Sequence, residues 1–169
     1  MNTSLNRRHF LKQTSSTMAL LGAAPALLAA DSPGKKLVVG VMGLGRGKDH
    51  LSALLQIPNI EIGWLCEVDS SRLALAAKFM AGKQTAAPRT AQDVRRVLDD
   101  PSVDALFIAA PNFWHALATL LACAAGKHVY VEKPGSHNVR EGELMVAAAR
   151  KHNRKVQMGT QRRSWPGII

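Results

Sequence analysis

Residues 37–42, Leu-Val-Val-Gly-Val-Met, form an uninterrupted apolar run that passes straight into Gly43-Leu-Gly45-Arg46-Gly47 and then into a helical pattern. A run without alternation suits a strand covered on both faces, the environment of a parallel sheet between helices. Glycines between such a strand and a helix let the backbone approach a ligand closely. The helix start adds unpaired N–H groups and the positive end of a dipole, an arrangement that receives phosphate. The spacing is atypical. Gly47 comes one position before the third glycine of G-x-G-x-x-G and Lys48 holds that place, which puts close helix–strand packing at Lys48 in question.

Beyond this point short apolar runs alternate with helical patterns, as in repeated βαβ units. The patterning predicts strands at 37–42, 60–68, 84–86, 105–110, 128–132 and 155–158. Helices are predicted at 49–57, 70–81, from a Thr90 cap to about 98, at 114–125 and from an Asn138 cap to about 152. Asp93 falls in the third position after Thr90 and Glu141 three positions after Asn138, as in capping boxes. Leu144, Met145, Ala148 and Ala149 make one apolar stripe on the last helix. The expected fold is α/β, a doubly wound parallel sheet of the NAD(P)-binding Rossmann type with strand order 3-2-1-4-5-6. The Rossmann domain is expected over residues 35–164, with 165–169 the start of a second domain that is absent.

The charge balance decides less than it promises. The 169 residues carry 22 Lys and Arg against 12 Asp and Glu, a net +10. Arg7, Arg8 and Lys12 stand in a first thirty residues without acids, and the +7 that remains is dispersed, with no interleaved aromatics. A nucleic-acid partner is therefore not expected. Cys66 and Cys123 lie in apolar contexts, as small hydrophobes do, and cannot form a multi-bridge framework.

Arg7-Arg8-His9-Phe10-Leu11-Lys12 precedes an apolar run from Met18 to Ala30 that contains Gly22 and Pro25. Thirteen residues fall short of the ~20 needed for a membrane span, so residues 1–30 read as a signal peptide. The paired arginines resemble the signal of the twin-arginine pathway, which implies a periplasmic or exported protein. An uncleaved basic tail is the alternative.

Glu67 follows Gly47 by twenty residues at the end of the second strand. There a carboxylate would accept hydrogen bonds from ribose hydroxyls, and it would repel a 2′-phosphate. The expected cofactor is NAD. NADP stays possible because Arg72 is near. No metal site is expected.

Pro111-Asn112-Phe113-Trp114-His115, Glu132-Lys133-Pro134 and Gly159-Thr160-Gln161-Arg162-Arg163 resemble motifs of the glucose-fructose oxidoreductase, inositol dehydrogenase and rhizopine catabolism (Gfo/Idh/MocA) family. The resemblance covers 36–164. It implies that Asn112 and His115 lie beside the cofactor, with Gly43, Gly45, Arg46 and Gly47 at its phosphates. It also implies that Lys133 stands at the nicotinamide and relays the substrate's hydroxyl proton as the catalytic residue. Glu132 would hold Lys133 or meet the nicotinamide ribose, and Gln161 would approach the nicotinamide.

Trp114 reads as packing, His128 as structural, and Arg162 with Arg163 as a solvated pair or an anion contact. The function implied is the NAD(P)-binding half of an exported oxidoreductase acting on the CH–OH groups of sugars or polyols. Oligomers are expected only with the absent domain, and no stable membrane span is expected. As an isolated piece the chain would bind dinucleotide weakly or not at all and turn over no sugar. A stand-alone nucleotide-binding module, or part of an NAD-dependent glycosidase of the same family, are the alternatives.

Overall fold

The computed structural model describes residues 36–164, 166 and 167. The signal read at 1–30 lies outside the described residues, as do Trp165, Ile168 and Ile169. Strands β1 (Leu37–Met42), β2 (Ile60–Cys66), β3 (Arg89–Ala91), β4 (Ala105–Ile108), β5 (His128–Val131) and β6 (Val156–Met158) form one sheet. All pairings are parallel, and the order is β3-β2-β1-β4-β5-β6. The helices are α1 (Gly47–Leu54), α2 (Ser70–Met80), α3 (Val94–Leu98), α4 (His115–Ala124) and α5 (Val139–Lys151). Short 3-10 turns stand at Asn112–Trp114 and Gln161–Ser164.

Two cores separate the layers. Leu51 and Leu54 of α1 and Ala76 and Met80 of α2 pack on Val39, Val41, Ile62, Leu65 and Ala105. On the opposite face α3, α4 and Met145 of α5 cover Met42, Cys66, Leu106, Ile108, Val129 and Val131. Strand β1 is central and is buried from Val39 to Met42, which is why its sequence lacks alternation.

The third strand departs from the sequence reading. Residues 84–86 are not a strand, because the Gln84 side chain occupies the backbone edge of β2. Its Nε2 donates to the Ile62 carbonyl (2.8 Å), while its Oε1 accepts from the Ile62 N–H (3.2 Å). The chain reaches the sheet later, at Arg89. Thr90 thus lies in β3 rather than capping a helix, and Asp93 itself caps α3, its carboxylate accepting from the Arg95 N–H at 3.0 Å. Asn138 caps α5 as read, accepting from the Glu141 N–H at 2.9 Å, but Glu141 returns its carboxylate to the His137 N–H rather than to that of Asn138. Of the stripe on α5, Leu144 is exposed, while Met145 is buried and Ala148 and Ala149 pack on the core. His128 accepts from the Lys155 N–H at 3.0 Å, a structural bond between β5 and the approach to β6.

Asp100 ties the β3 edge down. It accepts from Trp64 Nε1 (2.7 Å), from the Ser102 N–H (2.9 Å) and hydroxyl (2.7 Å), and from Arg89. Burial pushes its carboxyl up, but the bonds from Trp64 and Ser102 and the Arg89 charge outweigh that and bring it down to about 2. A folded-state pKa below the ordinary 3.8 stabilises the fold above that value, and the contribution is lost as pH falls toward 2. The melting temperature should drop across this window. Asp100→Asn should melt lower at neutral pH and drop less steeply on acidification; an identical slope for both proteins would contradict the assignment. Asp93, also held at about 2 through Arg95, keeps part of the drop in the variant.

Candidate functional site

The carboxyl ends of β1, β2 and β4 open onto a cavity of about 770 Å³, lined by Gly43, Gly45, Arg46, Glu67, Asp69, Arg72, Pro111 and Trp114 among others. Gly43 carries φ +85, and a Cβ there would stand 2.5 Å from the Ala110 N and 2.6 Å from the Ala109 carbonyl carbon. Only glycine fits, because both the left-handed backbone and the approach of the β4 end exclude a side chain. Gly47 has the packing role read as missing: a Cβ on it would meet Val41 Cγ1 at 3.2 Å. The early glycine, rather than Lys48, seats α1 on β1. Lys48 is exposed, with its ammonium 5.6 Å from the Phe79 ring centre.

The loop leaves donors open. Gly43 N–H donates to the Cys66 carbonyl, Leu44 N–H to Glu67 Oε2 (2.8 Å), and Gly47 N–H to the Gly43 carbonyl. No acceptor among the described residues takes the N–H groups of Gly45 and Arg46. Two free amides at the start of an eight-residue helix make an anion cradle. Above Gly45 the site is open except for Arg72 Nη1, 3.1 Å from where a Cβ would stand. A dinucleotide's pyrophosphate fits these donors.

Glu67 braces the loop and faces the same cavity. It also accepts from the Asp69 N–H at 3.3 Å, and an ionised carboxylate has further acceptor sites for hydroxyl groups. The Cys66 thiol beneath it is pushed up to about 12 by burial and by the charges of Asp93 and Glu67. It is an inert hydrophobe rather than a nucleophile.

Lys133, Arg46 and Gln161 share a second cavity, about 670 Å³, with Gly159, Thr160, Arg162 and Arg163. Lys133 is exposed, and no ion pair among the described residues includes it. Glu132, expected to hold Lys133 or to meet the nicotinamide ribose, holds the Lys133 backbone rather than its ammonium. Glu132 is 5 % exposed; its Oε2 accepts from the Lys133 backbone N–H (3.1 Å) and its Oε1 from Gln161 Nε2 (3.1 Å).

His115 also sits differently from its expected place beside a cofactor. It is 2 % exposed, and its Nδ1 and Nε2 lie 2.6 Å from the Pro134 carbonyl and 2.9 Å from the Ala110 carbonyl. The ring is a strut behind the cavity wall that joins the β4 end to the Lys133-Pro134 segment. Asn112 is in the 3-10 turn between the lining residues Pro111 and Phe113, and Trp114 packs on the core while lining the cavity.

Sequence reasoning missed His50. Its Nε2 lies 3.1 Å from Glu132 Oε1, and its side chain is 14 % exposed. The only sequence signal was a histidine three residues past Gly47.

Another cavity, about 1310 Å³, runs along β4, β5 and β6 and contains none of the glycine loop. Among the described residues no three His, Cys, Asp or Glu side chains converge on a possible metal position, and no helix is long and apolar enough to cross a membrane.

Comparison with known proteins agrees with this geometry. Residues 35–160 match the model of the GFO_IDH_MocA oxidoreductase family, described by its NAD-binding Rossmann fold. The oxidoreductase YrbE of Bacillus subtilis is 36% identical over 133 residues, which cover 78% of this chain and 38% of YrbE. A glycosyl hydrolase family 109 protein of Shewanella pealeana is 27% identical, over 91% of this chain and 39% of its own length. Scyllo-inositol dehydrogenase of Lactobacillus casei, solved with NAD(H) and scyllo-inositol, superposes with a TM-score of 0.71 at 28% identity. That match covers 78% of this chain and 38% of the enzyme. The chain thus spans about two-fifths of the length of these relatives.

Proposed function

The chain belongs to the Gfo/Idh/MocA oxidoreductase family as an NAD-binding Rossmann domain, and from that premise we propose that it is the cofactor half of an exported enzyme that oxidises CH–OH groups of a sugar or polyol by hydride transfer. The observation that carries the cofactor assignment is the pair of open amides at Gly45 and Arg46, set beside Glu67 in one cavity. That cavity is built wholly within residues 42–114, so the domain has a dinucleotide site of its own, a weak one in the isolated chain.

In this reading Gly43 and Gly45 admit the phosphates, Arg46 adds charge beside them, and Glu67 accepts from the adenosine ribose. Bound NAD supplies the two-electron acceptor. Lys133, on the rim shared with Arg46 and Gln161, takes the proton from the substrate hydroxyl in its neutral amine form and becomes the ammonium as hydride leaves the carbon for the bound nicotinamide. His115 and Glu132 act on that rim through the backbone they hold. Whole-protein turnover belongs to a polypeptide in which this domain is joined to a substrate-binding one.

Export, supported by Arg7-Arg8 and the apolar run behind them, favours an enzyme that retains its cofactor and restores its redox state within each cycle. The match to a family 109 glycosyl hydrolase over 91% of the chain supports a second reading, transient sugar oxidation that permits glycoside elimination.

Titration of the chain with NADH, followed by nicotinamide fluorescence, tests the cofactor assignment. Saturable binding is expected, weaker for NADPH. Glu67→Ala should weaken NADH binding roughly tenfold or more, since hydrogen bonds to a charged group contribute about 1.5–3 kcal/mol. Absence of saturation in the wild type, or unchanged affinity in the variant, would contradict the reading.

A further inference from the structure

His50 is a half-buried polar group, its Nε2 shielded from solvent, that the cofactor assignment does not use. It stands on α1, three residues beyond Gly47, and its ring packs on two aromatic neighbours that stand side by side on β4 and β5. Tyr130 meets it edge-on with ring centres 5.4 Å apart, and Phe107 lies at 6.0 Å. Those two rings stack on each other at 5.1 Å. The imidazole Nε2 is directed into the protein, 3.1 Å from Glu132 Oε1, yet no acceptor stands in line for a hydrogen bond.

Glu132 is the reason this matters. A buried carboxylate is costly unless hydrogen-bonding groups surround it, and here two bond it while a third stands close but unaligned. The Lys133 N–H follows it directly, Gln161 comes from the 3-10 turn after β6, and His50 comes from the helix that begins at the glycine loop. His50 is the one member carried by the phosphate-binding helix. A shift of α1 by a few tenths of an ångström changes its contact with Glu132, whose Oε2 holds the backbone of Lys133. Hydrogen bonds at a site of this kind are often poorly aligned before the ligand binds and tighten when it does.

We propose that His50 is a positioning residue that couples the two ends of the site. When phosphate seats α1, Nε2–H comes into line with Glu132 Oε1 and fixes the segment that carries Lys133. The inference rests on the reading of the glycine loop as the dinucleotide site and of Lys133 as the proton carrier.

The test uses the full chain as wild type, His50→Leu and His50→Gln. Leu retains apolar bulk beside Phe107 and Tyr130 without a donor; Gln offers an N–H in nearly the position of Nε2. NADH fluorescence first establishes whether each protein binds. The rate of Lys133 acylation by acetic anhydride, read by peptide mass spectrometry, is then compared with and without saturating NADH.

Expected is slowed acylation of Lys133 on NADH binding in the wild type and His50→Gln, and loss of that protection in His50→Leu that still binds NADH. Equal protection in all three proteins, or no protection in a wild type that binds NADH, would overturn the coupling while leaving the cofactor assignment intact. Failure of the wild type to bind would overturn both. Should His50→Leu fail to fold, the imidazole ¹⁵N signals of the wild type decide. A shift of the His50 Nε2 resonance on adding NADH supports the coupling, and an unmoved resonance in the NADH-bound protein overturns it.

Discussion

Gly43→Ala is expected to destabilise the domain by roughly 2–6 kcal/mol and to abolish NADH binding. Two costs add. A non-glycine residue held at φ +85 costs about 1–3 kcal/mol, and a methyl group 2.5 Å from the Ala110 nitrogen forces the β1 and β4 ends apart at a further ~1–3 kcal/mol. The obstacle is backbone, so no side chain can rotate to relieve it. Domains of this size are stable by about 5–15 kcal/mol, and the loss is therefore visible as a large drop in melting temperature. Gly45→Ala is the control. There a Cβ meets only the far end of Arg72 at 3.1 Å, which can move, so the fold should survive with little change. Equal melting of the wild type and Gly43→Ala would show that the loop does not adopt this conformation.

Leu51→Ala should be the costliest single truncation near the site, about 2–5 kcal/mol. Leu51 is fully buried and, with Leu54, carries the apolar seat of α1 against Val39 and Val41. Helix α1 has only eight residues, so tertiary packing rather than intrinsic propensity holds it in place. A cavity beneath it loosens the helix whose start receives phosphate, and NADH affinity should fall along with denaturant stability. Leu75, 68 % exposed on α2, provides the contrast: Leu75→Ala should change stability by about 0.5 kcal/mol or less. Equal effects of the two substitutions would contradict the packing described.

Much of this fold is legible in sequence, for a physical reason. Strands buried on both faces must be continuous apolar runs, and Leu37–Met42 and Ala105–Ile108 stand out between helical stretches, while β5 shows as a shorter β-rich run. Right-handed crossovers and the glycine loop then leave few orders for the sheet. Strand β3 escapes because it is a three-residue edge with the sequence Arg-Thr-Ala, while Gln84 imitates a strand with its side chain rather than its backbone.

The site is legible only where function is carried by the backbone. Gly43, Gly45 and Glu67 fall into one cavity because the loop and the strand ends place them there. His115 follows Pro111 closely in the chain, but only the folded structure shows its ring turned inward between two carbonyls. The family resemblance implied that Glu132 holds Lys133 or meets the nicotinamide ribose, without saying how; at the end of β5 successive side chains point apart, so the carboxylate goes inward and the ammonium outward. His50 had no pattern to betray it, since one histidine on an amphipathic helix has no periodicity of its own.

The central claim is that the dinucleotide lies across the glycine loop between the ends of β1, β2 and β4. Backbone amide chemical shifts of the ¹⁵N-labelled chain, followed during titration with NAD, test it most directly. The account predicts saturable shifts greatest at Gly45 and Arg46, whose N–H groups are open, with Gly43, Leu44 and Glu67 moving alongside them. Saturable shifts centred instead on Val129, Tyr130 and Val156, along the β4–β6 cavity, or no saturable shifts at all, would contradict it.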